Sequence, residues 1–568
     1  MLAFALNPGF LLIAAALIAL ISPRTVRPLI MGFAALAAIW LMLGGALGMK
    51  TAMTQMGLGV VTFVLDPLNR IFGIAMLIAL IIIAIYSSAR RNRYEDAAIL
   101  LLAGGAVTTL FVGDLVSFVA AAEMAAFGAS WVVFASPLEG ANRAGVRLLV
   151  WHGLEGLLFL VGVALHLSAH QGQSALVRLD VNVIGDAFIF AALLVRVGAP
   201  IAHVWLKDAI AHASAAGAPA LSAFTTMLGV YALARLFPAE PLLMPIGGAM
   251  VVIGALMGIA SDDFRRSAAY GLMAVAGVCV MLVGYGSPLA LAAAEGHAFA
   301  AIIAFVALQM ALGSVVVRLG NAHAASLAGL APAMPLSIAL VLFAGIAVAS
   351  VPGAATYATQ AVALEATGQW DLRWVWMLIA ATPAALFIAF AMRPALVAHR
   401  VTEETRARAT GVTPYPMALG TAIAAFFCFS VGVAPGWLYG LMPTELAFQP
   451  FDADQLPPQL EMLGVAGVVY IIAWSLGLAP RERPMALLDL DSLYRGPVAA
   501  FARWTGVLAL RVYGAGQVAI ATLGEGAGRG IGRLSRTWDR PYKQKFIGFA
   551  QFMMIAGILL LFIIGREL

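Results

Sequence analysis

The chain has 568 residues, 62% of them hydrophobic and only 11% charged, with a mean hydropathy of +0.96. A soluble domain carries roughly a quarter charged residues, so a soluble fold is excluded and a polytopic membrane protein is required. Two cysteines, Cys279 and Cys428, both in apolar runs, exclude a disulfide framework and a cysteine metal site, and a net charge of +5 carries no nucleic-acid signature.

A bilayer-crossing helix needs about 20 apolar residues. Candidate spans lie at 9–22, 29–48, 69–88, 97–111, 113–136, 146–167, 182–204, 219–236, 242–260, 267–287, 292–317, 335–362, 374–392, 415–440, 462–479 and 546–564. The runs at 97–136 and 335–366 can be cut in more than one way, so the expected fold class is an all-α polytopic membrane protein of about 14–16 transmembrane helices. The first run has no basic n-region and no small-residue cleavage site, and is read as a retained span. Arginines recur on one side of the chain: Arg24 and Arg27; Arg90, Arg91 and Arg93; Arg143 and Arg147; Arg265 and Arg266; Arg400, Arg406 and Arg408; Arg481 and Arg483. The opposite side holds Asp114, Glu295, Glu445, Asp452 and Asp454. The positive-inside rule therefore puts the arginine loops in the cytoplasm and both termini in the periplasm.

Ionisable residues within spans cost about 2.5–3.5 kcal/mol each at the bilayer centre on insertion scales, so they face a wet or protein-lined interior and point to an ion path. In chain order they are Glu123, His152, Glu155, Asp186, Arg196, His203, His297 and Arg393. His152 and Glu155, three apart, share a helix face. Two spans are interrupted, one at Gly198 and Pro200, the other at Pro352 and Gly353. Such breaks free backbone groups that only protein or water can satisfy. One break per half suggests inverted repeats, at 97–236 and 242–392. Helices at 1–96 precede them and further helices at 393–480 follow. The break beside Arg196 is expected to solvate its charge with water and backbone dipoles. Asp114 fits a helix cap, and Asp262, Asp263, Arg265 and Arg266 fit a solvated loop. Residues 481–568 are expected to form an amphipathic segment along the cytoplasmic surface, over 481–540, and a final membrane helix. A solvated basic linker is the alternative for 481–540. No nucleotide loop, zinc-protease or nucleophile motif occurs, so no catalytic centre, cofactor or metal is expected.

Several stretches then carry a resemblance. "FVGDLVSFVAAAEMAAFGAS" resembles the glutamate-bearing segment of Mrp-type multisubunit cation/proton antiporters and of the related complex I membrane subunits. "RVGAPIAHVWLKDAIAHASAAGAPALSAFTTMLGVYALARLFP" resembles their next two segments. "SDDFRRSAAYGLMAVAG", "GHAFAAIIAFVALQMALGSVV" and "ASVPGAATYATQAVALEA" resemble the second half. "TPYPMALGTAIAAFFCFSVGV" and "LLDLDSLYRG" resemble the D-type Mrp subunit. The resemblance covers about 90–495.

The resemblance implies a glutamate at Glu123 paired across neighbouring helices with the residue at Arg196, then a relay toward the second half. Here arginine stands where the family has lysine, and arginine keeps its proton in proteins. Arg196 is thus a counter-ion and not a relay. His203 keeps the family histidine and can relay; His152, His297 and Arg393 also lie at family positions, whereas Glu155 does not and offers an alternative acid. Met227, Phe305 and Gln360 replace family lysines, and Ala301 replaces a second histidine. Of the four lysines, Lys50, Lys207, Lys543 and Lys545, none is expected deep in a span. Glu123 is either a gated protonation site or half of a structural ion pair with Arg196. The implied protein is a subunit of a hetero-oligomeric antiporter-like complex in the bacterial inner membrane, moving protons and a monovalent cation. Three functions compete: proton conduction through the first half with a dry second half around Phe305; a non-conducting structural or coupling role; and energising another partner, such as an inorganic-carbon transporter or a redox module.

Overall fold

Local chemistry sets the helix starts. The computed structural model describes residues 6–55, 58–89, 92–368, 372–400, 413–444, 448–479 and 504. Proline stands in the first turn of helix α1 (Pro8–Ile21), α2 (Arg27–Leu43) and, beyond a hairpin, α3 (Pro67–Ser87), where its missing N–H costs nothing. Asn7 caps α1, and Asp66 with Asn69 forms a reciprocal capping box on α3. The hairpin is β1 (Lys50–Gln55) paired antiparallel with β2 (Leu58–Val64), in a stretch that the reading of spans left as a connection. Its signal was the β-branched run "VVTFV".

Next come α4 (Arg93–Phe111), α5 (Leu115–Phe134) and the long α6 (Ala141–Ala169). Asp114 caps α5 by accepting from Ser117 N–H at 2.8 Å, as a cap was expected to, and it also accepts from Val61 N–H at 2.7 Å. One carboxylate thus fastens the hairpin to the helix start. α4 and α5 approach closely: a Cβ on Gly128 would lie 2.5 Å from Leu102 N, the small-residue contact by which membrane helices pack.

The span expected at 182–204 is α7 (Ile184–Val197) and the break after it, and α8 (Val204–His212) begins where that span was expected to end. α9 (Gly217–Phe224) and α10 (Thr226–Leu236) follow, then α11 (Leu243–Ala260), α12 (Phe264–Tyr285) and α13 (Pro288–Leu319). After the single turn α14 (Ala324–Leu327), the second interrupted span is α15 (Pro335–Val348) and α16 (Ala355–Thr367). α17 (Arg373–Phe387) runs through a π-helical turn, Ile388–Met392, into α18 (Arg393–His399). α19 (Tyr415–Val433), the turn α20 (Gly436–Tyr439) and α21 (Leu456–Ser475) complete the described chain.

Eleven helices among the described residues are long and apolar enough to cross a membrane, with shorter apolar helices at Pro8–Ile21, Arg27–Leu43 and Pro335–Val348. The chain is an all-α polytopic membrane protein. α12 and α13 are buried along nearly their whole length and form the centre, while α21 turns Val465, Val468, Val469, Ile471 and Ile472 outward. Glu295 sits buried in the first turns of α13. The described helices belong to a unit spanning Met1–Met485. The amphipathic segment and final helix expected at 481–568 lie outside the described residues, Trp504 apart.

Candidate functional site

The first break is closed by the protein's own donors. Gly198 and Ile201 adopt left-handed backbone, with φ of +74° and +78°; glycine takes this conformation without strain. The carbonyls freed at the end of α7 are taken up at once. Leu194 O accepts from Ala199 N–H at 3.0 Å, and Val195 O accepts from Gly198 N–H at 3.1 Å and from the Trp205 indole at 2.9 Å. Pro200, which has no N–H to place, lies in the turn between them.

Arg196 is therefore not solvated by the break, contrary to the sequence expectation. α5 and α6 compensate it. Its Nε–H donates to Glu155 Oε1, and its Nη2 donates to the Ala122 carbonyl at 3.1 Å. Glu155 is fully buried, and its other oxygen accepts from His152 Nδ1 at 2.7 Å. The direct partner of Arg196 is thus Glu155, and not Glu123, at which the resemblance implied the pair. The reason is register. Arg196 reaches the α5 backbone one residue before Glu123, which turns its Nε toward α6.

Glu123 remains close by. Its carboxylate lies against Gly156, where an added Cβ would fall 2.6 Å from Cδ. It interacts electrostatically with both Glu155 and Arg196, yet its Oε1 is buried without a hydrogen-bond partner. His152 Nε2 is likewise buried without one, and its ring lies 5.1 Å from the Trp205 ring. His203 opens α8, buried, with its ring 6.0 Å from that of Tyr270 on α12. Asp186 stands apart, bonded at 2.6 Å to His166.

The second break, between α15 and α16, again contains left-handed residues, Ser350 at +52° and Gly353 at +99° beside Pro352. Its polar groups do not gather. His297 Nδ1 meets Thr359 Oγ1 at 2.9 Å, and that hydroxyl donates to Ala355 O at 3.0 Å, so the imidazole is the donor. Gln360 Nε2 donates to Ile379 O. That carbonyl would normally bond the amide four residues on, but position 383 is proline, inside α17. Gln360 thus repairs a helix bond that Pro383 removes. Met227 and Phe305 are fully buried, and Phe305 packs edge-on against Phe390 at 6.4 Å. Gln309, one turn beyond Phe305, is the polar exception: it is fully buried and neither amide atom has a hydrogen-bond partner. Arg393 donates to Ile259 O at 3.1 Å and to Ser261 O, beneath the Phe264 ring.

One further expectation is corrected. Arg265 is not in a solvated loop: it is buried and donates to Ala213 O at 2.6 Å and Ser214 O at 2.8 Å, while Asp263 caps α12. Lys207, in the short helix α8, is only 5% exposed and sits 5.8 Å over the Tyr270 ring. Its spacing of four from His203 was the available signal. Among the described residues no group of three or more His, Cys, Asp or Glu could hold a metal ion.

Residues 113–386 match the family described as "NADH:quinone oxidoreductase/Mrp antiporter, TM". The chain is 26% identical over 268 residues to NADH-quinone oxidoreductase subunit N of Desulforudis audaxviator (strain MP104C), covering 42% of this chain and 52% of that one. It is 24% identical over 249 residues to the putative antiporter subunit mnhD2 of Staphylococcus aureus (strain MRSA252), covering 41% and 50%. The alignments thus span about half the length of these curated relatives. Its fold is shared with a chain of the Mrp complex from Dietzia sp. DQ12-45-1b, at a TM-score of 0.66 and 19% identity, covering 82% of this chain and 99% of that one.

Proposed function

We propose that this chain, a membrane subunit of the Mrp antiporter and complex I superfamily, passes protons through its first half while its second half serves as a packed scaffold. One observation carries the reading: Arg196 is committed to Glu155 and to Ala122 O, which leaves Glu123 Oε1 buried without a partner. Glu155 and Arg196 neutralise one another. Glu123 is then the carboxyl whose charge no direct partner cancels, and its proton is the one the site exchanges. His152, held by Glu155, and His203 at the head of α8 are imidazoles placed to carry a proton to and from it. Arg196 is the fixed charge around which they exchange.

In this reading the chain works beside other membrane subunits in the bacterial inner membrane, with the arginine loops facing the cytoplasm. It is a transporter subunit, not a catalytic one, and a monovalent cation is the counter-cargo.

A second reading, a coupling or structural subunit, is favoured by Gln360, which spends its amide on the carbonyl orphaned by Pro383. One experiment separates the two. Proton flux is measured in vesicles holding the assembled complex, with a pH-sensitive dye. Glu123→Gln is expected to lower the rate about a hundredfold, the usual worth of one acid–base group. Wild-type flux in that variant overturns the first reading and leaves the second.

A further inference from the structure

α8 runs from the buried cluster to a cleft. His203, at the N-cap of α8 on the side of the break, faces Tyr270. Lys207 follows one turn later and faces the same ring. One more turn along that face comes Ala211, which with His212 lines a cleft of about 860 Å³. Arg143, Asp263, Arg266 and His323 line it too, on the arginine-rich side of the molecule. From His203 to Ala211 the helix rises about 12 Å. Trp205, between them in sequence, bonds the end of α7 and touches His152. The same short helix therefore contacts the Glu155–Arg196–His152 cluster at one end and the polar cleft at the other.

Lys207 lies nearly buried between these two regions, with its ammonium over the Tyr270 ring. Lysine differs from arginine in that its ammonium gives up a proton readily when desolvated. Lys207 is the one lysine of this kind among the described residues, at a position that the resemblance does not assign.

Resting on the first-half reading above, we propose that Lys207 is the group that exchanges protons between the cleft and the buried cluster. Its ammonium gives a proton to the His203 imidazole and becomes the neutral amine. The amine then takes a proton from hydrated proton in the cleft, which is left as water. The Tyr270 ring, in contact with both side chains, holds them on one side of α8 while this occurs.

The test uses the full chain in vesicles with its partner subunits and the variant Lys207→Cys. The native thiols, Cys279 and Cys428, are both buried. Proton flux is expected to fall about tenfold or more in the variant. Treatment with an aminoethyl thiosulfonate, which rebuilds a primary amine on a short stem, is expected to return most of that flux. The trimethylammonium analogue carries the same charge but no proton and is expected to return none. Equal rescue by both reagents makes Lys207 a fixed charge and overturns the proposal. So does failure of the aminoethyl reagent to react, because the cleft then does not reach the site. Full flux in Lys207→Cys alongside lost flux in Glu123→Gln removes Lys207 and keeps the first-half reading. Lost flux in Lys207→Cys alongside full flux in Glu123→Gln removes Glu123 and keeps Lys207.

Discussion

The two halves carry the same backbone device and use it differently. Each interrupts a helix with left-handed residues, at Gly198 and Ile201 in one and at Ser350 and Gly353 in the other. Around the first break, side chains from α5, α6 and α7 converge: Glu123, Glu155, His152 and Arg196 form one connected group, with His203 beyond the break. Around the second, polar groups are settled one at a time, Gln309 alone among those described above being left without a partner. Gln360 goes to Ile379 O, His297 to Thr359, and Arg393 to the end of α11. A broken helix therefore does not by itself gather charged groups around it. What distinguishes the halves is whether charges must satisfy one another or can be satisfied by backbone carbonyls one at a time.

The largest effect expected from this contrast is on Glu155. Glu155→Gln strips the buried guanidinium of its direct carboxylate, a loss of about 3–5 kcal/mol for a broken buried pair. The double variant Glu155→Gln with Arg196→Met removes both charges and is expected to recover most of that stability. Thermal unfolding of the purified chain in detergent reads both. Additive losses in the double variant would mean that Arg196 relies on some other partner, and the first half would look like the second.

A smaller effect is expected at Gly156. A methyl there meets the Glu123 carboxylate at 2.6 Å, and crowding of this kind costs about 1–3 kcal/mol. Gly156→Ala is expected to displace Glu123 and reduce proton flux more than it reduces protein level. Gly271→Ala, which meets Phe390 at 2.5 Å, provides the second-half control. It is expected to lose stability to a similar degree and to leave the flux per molecule unchanged.

The two breaks were legible in the sequence because glycine and proline act locally: they restrict or free the chain wherever they stand. The cap at Asp114 was legible for the same reason. The partner of Arg196 was not. Choosing between Glu123 and Glu155 depends on how α7 is rotated against α5 and α6, and residue spacing along one chain does not encode that rotation. Arg265 was misread because a cluster of charges beside a span has the same composition whether it is solvated or folded over the carbonyls ending α8. Gln360 read as a lost lysine until Pro383, on another helix, gave it a task. Lys207 stands at a position to which the resemblance gives no lysine, and its burial depends on how α8 packs against α12.

A further test concerns that repair. Gln360→Leu leaves the Ile379 carbonyl buried without a donor, worth about 1–3 kcal/mol. In a Pro383→Ala background the helix regains its own N–H donor, and Gln360→Leu is then expected to cost much less. This coupling, measured as a double-mutant cycle by thermal unfolding, sharpens the claim that the second half uses polar groups structurally. Additive costs would leave Gln360 without an explained role.

The smallest effect is expected at His297, and it bears hardest on the comparison. The imidazole donates to a hydroxyl that is itself anchored to Ala355 O. His297→Leu therefore removes one neutral hydrogen bond and leaves Thr359 with its helix partner, at about 0.5–1.5 kcal/mol. Toward the centre of α13 the neighbours are not titratable: Phe305 lies two turns further along, and Gln360 beside Thr359 is bonded to α17. On the proposed division of labour, a proton at His297 has no onward carrier along α13 toward Phe305. Flux in the His297→Leu complex is accordingly expected to match the wild-type rate, while Glu123→Gln measured in the same vesicles does not. If instead His297→Leu loses its flux with the assembled complex intact, protons do cross the second half, and the division of labour between the two breaks is wrong.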